Sequence, residues 1–312
     1  MFHRSPLVGL TLLAPLAAKC CSQSVSLLQT LTDPIPRGVH VGPTRIPCVV
    51  HQTWQTHQLS DQQKRCVNTW KSKNPECEHR LWNDTEIAAL CQEKSPGLIW
   101  PIWDGLSPVQ RADVFRYLVL WDQGGYYADI DVRCHRPVAD FPVPKDVNMI
   151  VGYEAGRRLE EAVREKVDFS RVEQFENWFL ASAPGNPVLL RTLEIIRQKF
   201  LWKVQKTIDF TGPGTLSDAV HEFLANSSEE HGIPAEISRR TGQYAGKLSF
   251  PSESTYQFGE WKAFLFASGR VSTGGYASGD DPAENVLEHM FSGTWKRGAA
   301  VIGSTHLMLV SK

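Results

Sequence analysis

The chain has 312 residues, is 42% hydrophobic and 21% charged, and sets 33 basic against 34 acidic side chains for a formal net charge of −1. This is an ordinary soluble composition, long enough for one large α/β domain with a sizeable core. With no basic excess and no long run of one sign of charge, it argues against nucleic acid as a partner.

The N-terminus, MFHRSPLVGLTLLAPLAAKCCSQS, opens with His3 and Arg4 and continues as a 13-residue apolar run, Pro6 to Ala18, interrupted by Pro15. A membrane-spanning helix needs about 20 apolar residues, so residues 1–22 read as a cleaved signal peptide or a short signal-anchor, the latter giving membrane attachment. Either reading places the protein in the secretory pathway, in the Golgi lumen or secreted. Residues 23–44, rich in Ser, Thr, Pro and Gly, read as a linker or stem, and 45–312 as one catalytic domain.

Of seven cysteines, Cys20 and Cys21 fall at the edge of the leader, and five remain in the body: Cys48, Cys66, Cys77, Cys91 and Cys134. No C-x-x-C pair or zinc spacing occurs, so one or two disulfides are expected, with their connectivity open. Two sequons, at Asn83 and Asn226, allow N-glycosylation in a lumen.

Ile46–Val50 reads as a short buried strand, followed by a helix capped by Ser60 and stopped at Asn74-Pro75. HRLWND is a second strand, and strand–helix–strand in this order predicts a βαβ unit. Trp54 sits just beyond the first strand, where nucleotide bases bind in such sheets; a core tryptophan is the equal reading. The segment SPVQRADVFRYLVLWDQGGYYADID is the best defined. Ser107 suits the N-cap, and Pro108 the first helical position, where a missing N–H costs nothing. Val114, Phe115, Leu118 and Val119 form the apolar stripe, and Gly124-Gly125 ends the helix. A strand Tyr126–Ile130 then delivers Asp129 and Asp131 to the carboxyl edge of the sheet, where ligands bind in open α/β sheets.

Farther on, the stretch from Ser170 to Phe200 reads as two helices broken at Pro184, Gly185 and Pro187. DFTGPGTLSDAVHEFL reads as a loop opening a helix capped near Ser217. The TGPG turn stands level between a ligand-approaching loop and a plain turn.

Asp129 and Asp131, two residues apart, point to one face if the strand stays extended. Their mutual repulsion would raise one pKa. A divalent cation removes that repulsion, and hard oxygen ligands suit Mg²⁺ or Mn²⁺ carrying phosphate oxygens. Taken alone, D-x-D is short enough to be a solvated strand end; the helix–Gly-Gly–Tyr setting shifts the balance. In the preceding helix, Arg111 suits a phosphate or sugar and Asp113 sugar hydroxyls, against an Asp113–Arg116 pair on a solvated face as the equal reading.

The blocks IPCVVHQTW, NPECEHRLWND, RADVFRYLVLWDQGGYYADID, NWFLASAPGNPVLL, TGPGTLSDAV and HMFSGTW, in this order, resemble glycosyltransferase family 32, most of all its fungal initiation-specific α-1,6-mannosyltransferases. The resemblance covers Ile46 to Trp295. It implies a GT-A-type α/β fold with a Rossmann-like nucleotide-sugar-binding half and a mixed, mainly parallel sheet. It also implies retaining, Mn²⁺-dependent transfer (Mg²⁺ being the alternative) from a nucleotide-sugar donor to a glycan or glycolipid acceptor. Its residues carry over as Asp129 and Asp131 on metal and diphosphate, Arg111 and Asp113 near the donor sugar, and His289, Thr294 and Trp295 closing over metal and diphosphate. Thr294 stands where relatives carry serine, Ala112 likewise, and Asn186 where they carry histidine.

The blocks around Asn177 and Thr211 look most like mannosyltransferases, which favours GDP-mannose over a UDP-sugar. A D-x-D phosphatase of the haloacid dehalogenase type is disfavoured, since Arg133 occupies the position where that motif needs Thr or Val. A non-catalytic carbohydrate-binding protein is the remaining alternative.

Overall fold

Strands β1 (Val49–Thr53), β2 (Glu78–Trp82) and β3 (Gly125–Ala128) form the parallel part of the molecule, with β1 pairing to β2 on one side and to β3 on the other. This computed structural model describes residues 45–141, 143–155, 170–171, 174–225, 254–258, 261–266 and 286–290. The leader, the stem, Cys20, Cys21, Asn226, Thr294 and Trp295 lie outside the described residues.

Among the described residues the large sheet has seven strands in the order β2-β1-β3-β6-β5-β8-β7. β6 (Gln174–Ser182) runs antiparallel to β3 and to β5 (Met149–Ala155), β5 is parallel to β8 (Trp261–Phe266), and β7 (Ser254–Phe258) is antiparallel to β8. A two-stranded ladder of β4 (Val132–Cys134) and β9 (Leu287–His289) lies apart from it. This is the mixed α/β architecture expected from the sequence. The chain leaves β1 toward β2 and then crosses to β3 on β1's other side. A reversal of that kind opens a crevice at the strands' carboxyl ends.

The helices begin where local chemistry dictates. α1 (Asp61–Lys73), α2 (Asp84–Lys94) and α3 (Pro108–Gln123) each start with a reciprocal capping box, formed by Ser60 with Gln63, Asn83 with Glu86, and Ser107 with Gln110. Each box satisfies two backbone donors that a helix start otherwise leaves open. α3 is buried on all sides from Asp113 to Leu120 and not along a single stripe, because α2 and α4 (Pro187–Leu201) flank it and β3 and β6 lie beneath. On the other face of the sheet, Trp70 of α1 packs among Val50, Ala128, Ile150 and Phe179.

Several local expectations are corrected. The first strand starts at Val49 rather than Ile46, since Pro47 offers no N–H and its carbonyl closes a tight turn onto Val49 N–H at 2.9 Å. Gln174–Ser182 is a strand and not a helix, and all nine of its residues are buried. A strand covered on both faces need not alternate polar and apolar residues, and QFENWFLAS, whose polar side chains are buried with the rest, carries no clean two-residue period. After α5 (Thr207–Phe210), α6 (Pro213–Ala225) begins at Pro213, so Ser217 lies inside it. There the Ser217 hydroxyl donates to the Pro213 carbonyl and accepts from Phe175 N–H, fastening α6 to β6.

Of the five body cysteines, Cys48 and Cys77 form a disulfide joining the starts of β1 and β2, while Cys66, Cys91 and Cys134 are buried thiols. Burial pushes the Cys91 thiol up to about 12 and the Cys134 thiol up to about 11.

Candidate active site

The site is built at the carboxyl ends of β1 and β3, and its placement starts with two glycines. Gly124, with φ of 68°, caps α3 by donating its N–H to the Leu120 carbonyl, and Gly125 has φ of 104°. A Cβ on Gly125 would lie 2.5 Å from the Val49 carbonyl oxygen, so the corner admits glycine alone. Buried His51 pins this corner. Its Nδ1 accepts from Trp82 Nε1–H at 3.2 Å, which leaves Nε2–H to donate to the Gly124 carbonyl at 3.1 Å. Burial lowers the His51 pKa to about 4, so the ring stays neutral in this role.

The strand does not run on through the two aspartates. β3 ends at Ala128, and Asp129 to Val132 form a turn closed by Val132 N–H on the Asp129 carbonyl at 3.0 Å. The extended-strand argument for a shared face therefore fails, and the turn achieves the convergence instead. Ligand atoms of Asp129, Asp131 and His289 all lie within 4.8 Å of one another. His289 arrives on β9, opposite Val132, with Nε2 3.3 Å from Asp131 Oδ1, and its ring stacks on Trp178 at 5.0 Å with a 6° interplanar angle. Two carboxylates and an imidazole brought together this closely fit a divalent cation, which would relieve the repulsion between the acids.

Asp129 is held from several directions. Tyr127 Oη donates to its Oδ1 at 2.8 Å, Arg116 Nη2 lies 3.2 Å from the same oxygen, and its N–H donates to the Trp178 carbonyl at 2.8 Å. Burial raises its pKa, helped by the nearby Asp131, while Arg116 and His289 oppose the rise.

Arg116 is the hub that sequence reasoning missed. Its Nη2 also lies 3.1 Å from Asp113 Oδ1, its Nη1 donates to the Asn177 carbonyl at 2.6 Å, and its guanidinium lies 5.0 Å from the centre of the Tyr127 ring. Burial works against its charge, but Asp129, Tyr127 and Asp113 together more than compensate, so it stays a cation. Its Nε is buried and has no hydrogen-bond partner among the described residues. The Asp113–Arg116 pair weighed as a surface feature is thus an interior one, both side chains being 7% exposed.

Asp113 accepts from Thr211 Oγ1 at 2.8 Å and from Asn177 Nδ2 at 3.1 Å, and burial raises its pKa. Arg111, two residues earlier, faces elsewhere, as the helical period requires. It donates from Nε to the Trp103 carbonyl at 3.2 Å, stacks over the Trp103 ring at 5.3 Å, and lends its charge to Asp84. The structure therefore joins Asp113 to the Asp129 cluster through Arg116 and leaves Arg111 outside it. Trp54 is half-buried one residue past β1, its N–H on the Trp82 carbonyl at 3.0 Å. Asn177, Thr211 and Tyr127 complete the cluster. In the sequence Asn177 and Tyr127 stood out only as members of the blocks quoted above, and Thr211 also as the first residue of the TGPG turn.

Residues 60–153 match the family model described as a glycosyltransferase sugar-binding region containing a DXD motif. The putative glycosyltransferase HOC1 of Saccharomyces cerevisiae is 26% identical over 234 residues, 68% of this chain and 57% of the relative. The initiation-specific alpha-1,6-mannosyltransferase of Schizosaccharomyces pombe is 26% identical over 271 residues, 78% of this chain and 63% of the relative. Inositol phosphoceramide mannosyltransferase 3 of the same yeast is 30% identical over 125 residues, 36% of this chain and 34% of the relative. The chain thus spans 57% and 63% of the length of the first two of these relatives. Among solved structures, the PaToxG glycosyltransferase aligns with a TM-score of 0.44 at 19% identity, over 66% of this chain and 76% of that one.

Proposed function

We propose that the protein is a metal-dependent, retaining glycosyltransferase that moves mannose from GDP-mannose to a glycan or glycolipid acceptor, a reading supported by the match of residues 60–153 to the DXD-containing sugar-binding model. The observation that carries this reading is the convergence of Asp129, Asp131 and His289 within 4.8 Å at the carboxyl edge of the parallel strands. These three residues would hold Mn²⁺, or Mg²⁺ in its place. When bound, the cation supplies Lewis-acid stabilisation of charge developing on the leaving diphosphate.

The chain's own residues do the rest. Arg116, 3.2 Å from Asp129, opposes the rise that burial imposes on that carboxyl and so favours the charged form a cation needs. Asp113, fixed by Thr211 and Asn177, acts from the interior, where its pairing with Arg116 ties α3 to the Asp129 turn. Trp54 offers an aromatic face beside the β1 end for a nucleotide base, and Arg111, beside Trp103, a cation at the start of α3. The Cys48–Cys77 disulfide supports an oxidising compartment, as in the secretory pathway. Among the described residues no helix is long and apolar enough to cross a membrane.

The test offers GDP-mannose and UDP-sugars separately to the purified protein, with and without Mn²⁺, beside Asp131→Ala. Mn²⁺-dependent use of GDP-mannose, lost in the variant, is the expected result. Use of a UDP-sugar alone would keep the transferase and discard mannose. No turnover and no nucleotide binding would leave a non-catalytic carbohydrate-binding protein.

A further inference from the structure

We propose that Gln52, fixed in turn by His79, is a positioning residue that sets the Asp129–Val132 turn for metal binding; this rests on the metal-site reading above. Gln52 lies on β1 with no solvent exposure. Its Nε2 donates to the Asp129 carbonyl at 3.2 Å, and its Oε1 accepts from His79 Nε2 on β2 at 2.8 Å. The three residues stand on three successive parallel strands or their ends, so the chain of hydrogen bonds runs across the sheet directly beneath the turn. Its polarity is consistent throughout, the imidazole N–H donating to the amide oxygen and the amide N–H to the carbonyl.

The Asp129 carbonyl is the pivot. It already closes the turn by accepting from Val132 N–H at 3.0 Å, and Gln52 ties that same oxygen to the neighbouring strand. At the far side of the turn, Met290 N–H holds the Asp131 carbonyl at 3.0 Å. With the backbone fixed at both carbonyls, the two carboxylates have little freedom to drift apart. Burial lowers the His79 pKa to about 4, so near neutral pH its ring is uncharged and presents a single N–H. A partner that only filled the core would affect stability and leave ion affinity alone. A partner that orients ligands changes metal affinity about 10–100-fold when removed.

The experiment measures Mn²⁺ binding to the folded protein, from the electron paramagnetic resonance signal of free Mn²⁺, alone and with GDP or UDP. Gln52→Met keeps the side-chain volume and removes both hydrogen bonds, and the Asp129 carbonyl still keeps Val132 as a donor. It is expected to weaken Mn²⁺ binding about tenfold or more. His79→Leu should weaken it in the same direction, and His79→Gln, which restores a donor to Gln52, should return it to within about threefold of wild type. If Gln52→Met fails to fold, the half-buried His79 pair carries the test. Wild-type affinity in Gln52→Met and His79→Leu, with binding lost in Asp131→Ala, would overturn the positioning role and leave the metal site standing. If the wild-type protein binds no Mn²⁺ under any of these conditions, the metal reading and this inference fall together.

Discussion

Replacing Arg116 by methionine keeps most of the side-chain stem and removes the charge shared by Asp113 and Asp129. At separations of 3.1 and 3.2 Å, each attraction is about 5 kcal/mol at an effective dielectric of ~20. Desolvation of the guanidinium offsets much of that sum. The expected loss is therefore the ~3–5 kcal/mol seen when one partner of a buried pair is removed, because a buried charge is left uncompensated. The pH dependence follows from the carboxyls. Both already have pKa values raised above the ordinary range by burial, and without Arg116 they rise further. The penalty on the variant is thus fully present above those raised values and is relieved as acidification protonates the two groups. Urea unfolding of both proteins at neutral and mildly acidic pH measures this, with the gap narrowing as pH falls. A loss under about 1 kcal/mol, as for an exposed pair, or a gap independent of pH, would refute the account of Arg116 as the hub.

Three further outcomes are expected. Gly125→Ala should destabilise by about 2–4 kcal/mol, joining the ~1–3 kcal/mol of backbone strain at positive φ to the clash with the Val49 carbonyl; a stability near wild type would contradict the corner geometry. His51 and His221, both lowered to about 4 by burial, should titrate near that value by NMR and not near the ordinary ~6.5. Their neutral forms then stabilise the fold fully above pH ~6.5, and this contribution is lost as pH falls toward 4; ring shifts moving near 6.5 in the folded protein would show the burial to be wrong. Cutting the Cys48–Cys77 bridge, whose partners are 29 residues apart, should cost about 3–4 kcal/mol on a loop-entropy basis, read as a lower urea midpoint in Cys48→Ala/Cys77→Ala.

Local chemistry carried much of the fold. Ser107, Pro108, Gly124 and Gly125 marked α3 and its corner from single-residue preferences, and the caps at Ser60 and Ser107 stood where expected. Gln174–Ser182 was misread because burial on both faces erases the alternation by which a strand is recognised. The carboxylates were visible as D-x-D, but the strand was expected to carry them where a turn does. Arg116 was visible only as the i, i+3 neighbour of Asp113. Whether such a pair is solvated or buried depends on α4 and β6 packing over it, which no local pattern records. Gln52 appeared only as a member of the IPCVVHQTW block, since its task is set by two other strands.

The β4–β9 ladder has a consequence for how the protein is made. All seven strands of the large sheet precede residue 267, whereas His289 comes from the ribosome later than any of them. The scaffold can therefore be laid down while the proposed ion site still has only its two carboxylates, and a nascent chain gains its imidazole when β9 docks beside Val132. Vectorial synthesis thus leaves closure of the proposed site until after the framework that must bear it has formed.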